Sequence, residues 1–150
     1  MSSARAVAIL LLAACEHGHE REPVVVENAG RVCLHADRAI SGLQRFVAGS
    51  RVVVAYEGLS ECLSVSCTTD RFVTCTATAE AGGFRVTSNL SWLDISFEQG
   101  NVCDETCLVP SSTCDTGQLA AGTYEFRFGA ETLSLAIPSD HAEPPCIATP

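Results

Sequence analysis

Nine cysteines and four histidines carry most of the reactive potential of this 150-residue chain. The cysteines are Cys15, Cys33, Cys62, Cys67, Cys75, Cys103, Cys107, Cys114 and Cys146. Structural zinc sites draw thiolates from closely paired Cys-x-x-Cys units. Here four residues separate Cys62 from Cys67, seven separate Cys67 from Cys75, three separate Cys103 from Cys107 and six separate Cys107 from Cys114, so no such pair exists. No metal site is expected from the cysteines. If Cys15 is set apart, the other eight form an even set, which in an exported chain reads as disulfides. Eight cysteines allow 105 pairings, and spacing alone does not choose among them. Each bond closing a loop of about 15 residues contributes roughly 3 kcal/mol in the chain-entropy model.

The remaining chemistry is sparse. His17 and His19, flanked by Glu16 and Glu20, have the ligand types of a copper, nickel or zinc site, but on a polar tether closure around a metal costs ordering entropy. Periplasmic metal capture through this pair stands as an alternative function. His35 and His141 read as surface histidines. No Gly-x-Ser-x-Gly elbow and no Gly-rich phosphate loop occur, and Gly82-Gly83 reads as a turn. Asp104 and Glu105 are adjacent, whereas the carboxylates of glycoside hydrolysis face each other across about 5–9.5 Å. The chain is therefore expected not to be an enzyme, and no cofactor is expected. One segment, CDETCLVPSSTC, presents Leu108-Val109-Pro110 between Cys107 and Cys114. A pinned proline-containing loop is pre-organised for docking. A protease-inhibitor-like role for the loop 107–114 is thus a second alternative, against the plainer reading of a structural corner.

The chain opens MSSARAVAILLLAACEHGHE. Ala6 to Ala14 is apolar and only roughly 14 Å long as a helix, against a hydrocarbon core of about 30 Å, so it does not span a bilayer. Arg5 and the amino terminus precede it, as in an export signal. Leu12-Ala13-Ala14-Cys15 resembles the bacterial lipobox. That resemblance implies cleavage after Ala14 and diacylation of the Cys15 thiol, making Cys15 the lipidation site and residues 1–14 a signal peptide. Each buried CH₂ of an acyl chain is worth about 0.8 kcal/mol, and two or three chains anchor durably. The position after the acylated cysteine holds Glu16 rather than the Asp that retains enteric lipoproteins in the inner membrane, which favours the outer membrane. The domain would then face the periplasm or the cell surface. Residues 15–23 form the lipidated cysteine and a tether; the eight residues after Cys15 reach at most about 29 Å.

Residues 24–150 suffice for one ordinary domain. Once Arg5 leaves with the signal, eight arginines face eighteen acidic side chains, a net charge of −10, and no lysine is present. Such a balance repels phosphates, so no nucleic-acid partner is expected; the partners are the membrane, through the lipid, and an unknown envelope protein or ligand.

Strand signals dominate this region. Val24–Val26 and Val52–Val54 are β-branched runs. Only Asp37 to Phe46 offers a turn or two of helix. In RFVTCTATAE, Val73, Cys75, Ala77 and Ala79 share an inward face, and Phe72, Thr74, Thr76 and Thr78 share the other. Leu63 to Thr68 is the expected hairpin partner across Thr69-Asp70-Arg71, which would bring Cys67 near Cys75. Phe84, Val86, Ser88, Leu90 and Trp92 alternate on even positions and then Leu93, Ile95 and Phe97 on odd ones, which predicts a bulge or turn near Asn89–Trp92. GTYEFRFGAETLSLAIP reads as a hairpin turning at Gly129-Ala130-Glu131. The tail PSDHAEPPCIATP reads as extended chain held by Cys146. Seven to nine short strands of this kind make an antiparallel β-sandwich.

Leu119, Gly122 and Tyr124 match the Leu-x-x-Gly-x-Tyr corner of bacterial immunoglobulin-like sandwiches, in which the tyrosine hydroxyl ties a strand to the preceding turn. The chain departs from immunoglobulins proper in having Phe126 where a cysteine follows that tyrosine, and Trp92 does not fit the core tryptophan. With its lipobox, its cysteine order, its Gly-x-Tyr and its C-terminal Pro-Ser, the chain resembles uncharacterised cysteine-rich bacterial lipoproteins, which bring no known activity. The expectation is an all-β, disulfide-rich, immunoglobulin-like antiparallel β-sandwich preceded by a lipoprotein signal peptide. Its expected role is that of a membrane-anchored, non-enzymatic binding or structural module of the envelope.

Overall fold

The computed structural model describes residues 22–37, 42–58, 63–95 and 102–150. These residues form thirteen strands and no helix: β1 (Val24–Glu27), β2 (Gly30–Ala36), β3 (Gln44–Phe46), β4 (Arg51–Glu57), β5 (Leu63–Ser64), β6 (Thr68–Glu80), β7 (Gly83–Asp94), β8 (Cys107–Leu108), β9 (Ser111–Gln118), β10 (Gly122–Phe128), β11 (Glu131–Ile137), β12 (Ser139–His141) and β13 (Cys146–Thr149). Among the described residues no helix is long and apolar enough to cross a membrane.

Two larger sheets share one core. A four-stranded sheet has the order β13-β2-β4-β9, and a five-stranded sheet joins β1, β6, β7, β10 and β11. Period-2 patterning explains both. In β4, Val52, Val54 and Tyr56 are fully buried while Arg51 and Glu57 are exposed. In β10, Phe126 and Phe128 are buried, and in β11, Leu135 and Ile137. With Val32 and Leu34 of β2 and Phe84 and Val86 of β7 they form one apolar cluster between the sheets. Its aromatic rings interlock, Tyr56 lying edge-on to Phe128 at 6.0 Å and Phe84 stacking on Phe126 at 5.4 Å. Two buried polar groups are matched, the Tyr56 hydroxyl donating to the Ala29 carbonyl at 2.9 Å and the Gln44 side-chain oxygen accepting from the Ala36 amide at 2.9 Å, whereas the buried Ser88 hydroxyl finds no partner among the described residues.

β7 is the hub of the larger sheet. β6 covers one edge along nearly its whole length. The other edge is divided: Asn89–Trp92 pair antiparallel with β1, and Gly83–Val86 pair parallel with β10. This parallel pairing departs from the wholly antiparallel arrangement expected. It depends on Gly83, where a Cβ would overlap the Glu125 carbonyl oxygen.

Several local expectations are corrected. Gln44–Phe46 is strand rather than helix, because it pairs with β12 (residues 38–41 of that stretch lie outside the described residues). Leu63–Ser64 pairs with β8 instead of forming a hairpin with 72–79, so Cys67 does not meet Cys75. The expected turn Thr69-Asp70-Arg71 lies inside β6, whose register slips between Thr69 and Phe72, with Asp70 at φ 49°. That slip faces Trp92, so the irregularity expected in β7 sits on its partner strand. Ala79 is exposed, beyond the end of the inward face that Val73, Cys75 and Ala77 provide. The final hairpin, turning at Gly129-Ala130, and the extended tail match the reading: β13 pairs with β2, and Cys146 bonds Cys33.

The Tyr124 hydroxyl donates to the Ala120 carbonyl at 3.0 Å, tying β10 to the turn before it. Replacing Tyr124 with Phe should cost roughly 0.5–1.5 kcal/mol in urea unfolding. Gly83→Val should cost at least about 2 kcal/mol by forcing β10 off β7, and an unchanged denaturation midpoint would refute that role for the glycine.

Candidate functional site

The cysteines occupy structural positions. Cys33 and Cys146 face each other across β2 and β13 at a Cα separation of 4.1 Å. Cys67 bonds Cys103, and Cys75 on β6 bonds Cys114 on β9, joining the edges of the two sheets. Cys107 is also disulfide-bonded. Sulfur held in a disulfide is neither a thiolate ligand nor a nucleophile, so these positions brace the fold. Cys15, Cys62 and the His17–His19 pair lie outside the described residues. Among the described residues no group of three or more His, Cys, Asp or Glu side chains converges as a metal site would need. His35 is half-buried on β2; His141 lies on β12, within 3.1 Å of the Ser139 hydroxyl and edge-on to Phe46.

The 107–114 segment is mostly built into the fold. Asp104 and Glu105 before it are exposed, and Ser64 and Ser66 hydroxyls hold the Asp104 backbone. Pro110 is buried, with its carbonyl accepting from the Gly58 amide at 2.7 Å, and β9 starts at the next residue. Leu108 and Val109 are the segment's exposed large apolar side chains, and with Phe72 they form the rim of a cleft whose floor includes Leu90 and Val73.

The most distinctive surface is the outer face of the larger sheet. Register places its side chains in rows across the strands. Phe72 lies opposite Ser91, itself opposite Val25; Thr74 lies opposite Asn89, itself opposite Glu27; Thr76 lies opposite Thr87. In the next row Arg85 stands opposite Arg127 across the parallel pair. Two like charges so placed repel, and two carboxylates resolve the conflict. Glu80 accepts from Arg85 at 2.6 Å and from Arg127 at 3.4 Å, and Arg127 also pairs with Glu125. Hydrogen bonding from Arg85, and the charges of both guanidiniums, hold the Glu80 carboxyl below its ordinary range despite some desolvation. The Glu125 hydrogen bond and charge, with help from Glu80, raise the Arg127 pKa above its ordinary value.

Between this ionic cluster and Phe72 lies a groove of about 260 Å³ lined by Glu27, Asn28, Thr74, Thr76, Thr87 and Asn89. Asn28 closes it with a left-handed turn (φ 52°), its side-chain oxygen accepting from the Ser88 amide at 3.0 Å. The Asn89 amide donates to Glu27 at 3.4 Å. Alternation in RFVTCTATAE already put Phe72, Thr74 and Thr76 on one face. Thr87, Asn89 and Glu27 join them only through strand pairing, which no linear motif records.

Because the native Glu80 carboxyl binds its proton less tightly than in the unfolded chain, its stabilisation is full above the unfolded carboxyl pKa and is lost as pH falls through the lowered native value. Thermal melts should therefore show Glu80→Gln less stable than the parent at neutral pH, with the two converging in acid; an equal gap at both ends would refute the ionic role. No protein-family model, curated protein or solved structure matches the chain.

Proposed function

We propose that the chain is a lipid-anchored protein of the bacterial envelope, probing or bracing its surroundings through a non-enzymatic binding domain. In this reading residues 1–14 are a signal peptide, Cys15 carries the acyl chains, residues 15–23 are the tether and residues 24–150 are an immunoglobulin-like β-sandwich. The observation that carries the reading is the oxidised state of the described cysteines, which suits an exported domain and not a reducing cytosol. The hydrogen bond from Tyr124 to Ala120 and the core shared by two sheets support the immunoglobulin-like assignment. The acidic balance keeps such a domain off anionic headgroups and leaves the lipid as its attachment. Outer-membrane delivery follows from Glu16.

Cysteine parity supplies the test. If Cys15 is acylated, Cys62 is the partner left for Cys107. Non-reducing peptide mapping of the mature protein should find that bond, together with an acylated amino-terminal peptide beginning at Cys15. A disulfide between Cys15 and Cys107, or an unmodified Cys15, would overturn the lipoprotein reading.

A second reading is favoured by the exposure of Leu108 and Val109, 38% and 52%, on the rim of the cleft beside Phe72. Two adjacent projecting aliphatics suit an inhibitor-like contact with a protease. Leu108→Ala with Val109→Ala should then abolish inhibition of a protease panel, and a parent protein that inhibits none ends that reading.

A further inference from the structure

The outer face from Phe72 to Thr76 has a chemistry that neither the anchor nor the bracing requires. Phe72 is 60% exposed on β6, immediately after the register slip that re-aims the strand. An exposed aromatic ring presents a flat, electron-rich face, to which the C–H groups of a sugar ring are complementary. Two residues further along the same face the surface becomes hydroxyl and amide. The Thr74, Thr76 and Thr87 hydroxyls make no hydrogen bond within the described residues, so each has one donor and two acceptor sites to offer. Asn89 and Glu27 add a planar amide beside a planar carboxylate, groups that bridge neighbouring hydroxyls of a ring.

Charge selects the ligand class. Arg85 and Arg127 are engaged by Glu80 and Glu125, Arg71 beside Phe72 donates to the Thr68 hydroxyl at 3.2 Å, and the charge lining the groove itself is the Glu27 carboxylate. Phosphates, sulfates and nucleic acid are therefore disfavoured, and a neutral polyhydroxyl ligand is not. Same-face side chains recur about every 6.8 Å along a strand and about 4.8 Å between strands, so neighbouring side chains of this face can reach successive groups of one extended ligand. The groove, about 260 Å³, is below the roughly 300 Å³ at which drug-sized pockets begin, so it takes a ring while the rest of a chain lies along the strands.

We propose that this face binds an uncharged glycan, with one pyranose ring stacked on Phe72 and a neighbouring ring hydrogen-bonded by Thr74, Thr76, Thr87, Asn89 and Glu27. The inference goes beyond the envelope reading and stands without it, since it rests on the sheet face and not on the anchor. Calorimetric titration of the full mature protein, in a detergent without a sugar headgroup, tests it with two neutral probes. These are chitotetraose for N-acetylated, wall-type glycans and cellotetraose for plain glucans. Binding of either supports the proposal and identifies the source. Phe72→Ala and Asn89→Ala should each weaken it about tenfold or more, whereas Val47→Ala, exposed just after β3 and away from both the groove and Phe72, should leave it unchanged. Circular dichroism confirms that each variant keeps its fold. The proposal is overturned if neither probe binds at millimolar concentration or if both substitutions leave affinity intact. It is likewise overturned if Phe72→Ala instead dissolves a dimer that binds no saccharide.

Discussion

The division of one β7 edge between two strands running in opposite directions is the constraint on which the larger sheet depends. β1 runs antiparallel to β7 along Asn89–Trp92, and β10 runs parallel to it along Gly83–Val86. The missing side chain at Gly83 is what admits the β10 backbone. At the junction of the two partners, Gly129 leaves space that a Cβ would fill against Thr149 and Asn28. The Thr149 hydroxyl donates to the Asn28 carbonyl at 2.8 Å, so the last strand of the smaller sheet closes the seam. With β10 seated, its hairpin partner β11 follows, and Phe126, Phe128, Leu135 and Ile137 are delivered to the core together.

Parallel pairing also explains why the outer face divides chemically. It sets Arg85 opposite Arg127, and that arrangement holds because Glu80 and Glu125 lie within reach. The carboxylates needed for this neutralisation sit at one end of the sheet. The middle rows are left to threonine, asparagine and the single Glu27 carboxylate, and the far end to Phe72 and Val25. A surface graded from ionic through hydroxylic to aromatic is thus a consequence of register as much as of composition.

The disulfides act on a different problem. A chain of this size with several two- to four-residue strands buries limited apolar area at its periphery. The bonds fall there. Cys75–Cys114 joins the two sheet edges, Cys67–Cys103 fixes the approach to β8, and Cys33–Cys146 holds the C-terminal strand whose three preceding prolines give it little secondary-structure drive. Covalent closure where packing is thin lets the core remain small and aromatic.

Period-2 alternation sufficed, in sequence alone, for the all-β class, the Tyr124–Ile137 hairpin, the inward Val73-Cys75-Ala77 face and the outward Phe72-Thr74-Thr76 face, because side-chain alternation is a local property of extended backbone. Cysteine parity was equally local and pointed to disulfides. Cysteine pairing, the β5–β8 ribbon, the strand state of Gln44–Phe46 and the parallel β7–β10 register were not legible. Each is a contact between segments distant in sequence, decided by which edges remain open once the core has packed. The candidate surface follows the same division. The sequence determined that β6 would carry an aromatic and a row of hydroxyls; only tertiary pairing decided that Thr87, Asn89 and Glu27 would stand beside them, since neighbouring strands meet by edge hydrogen bonding and not by spacing along the chain.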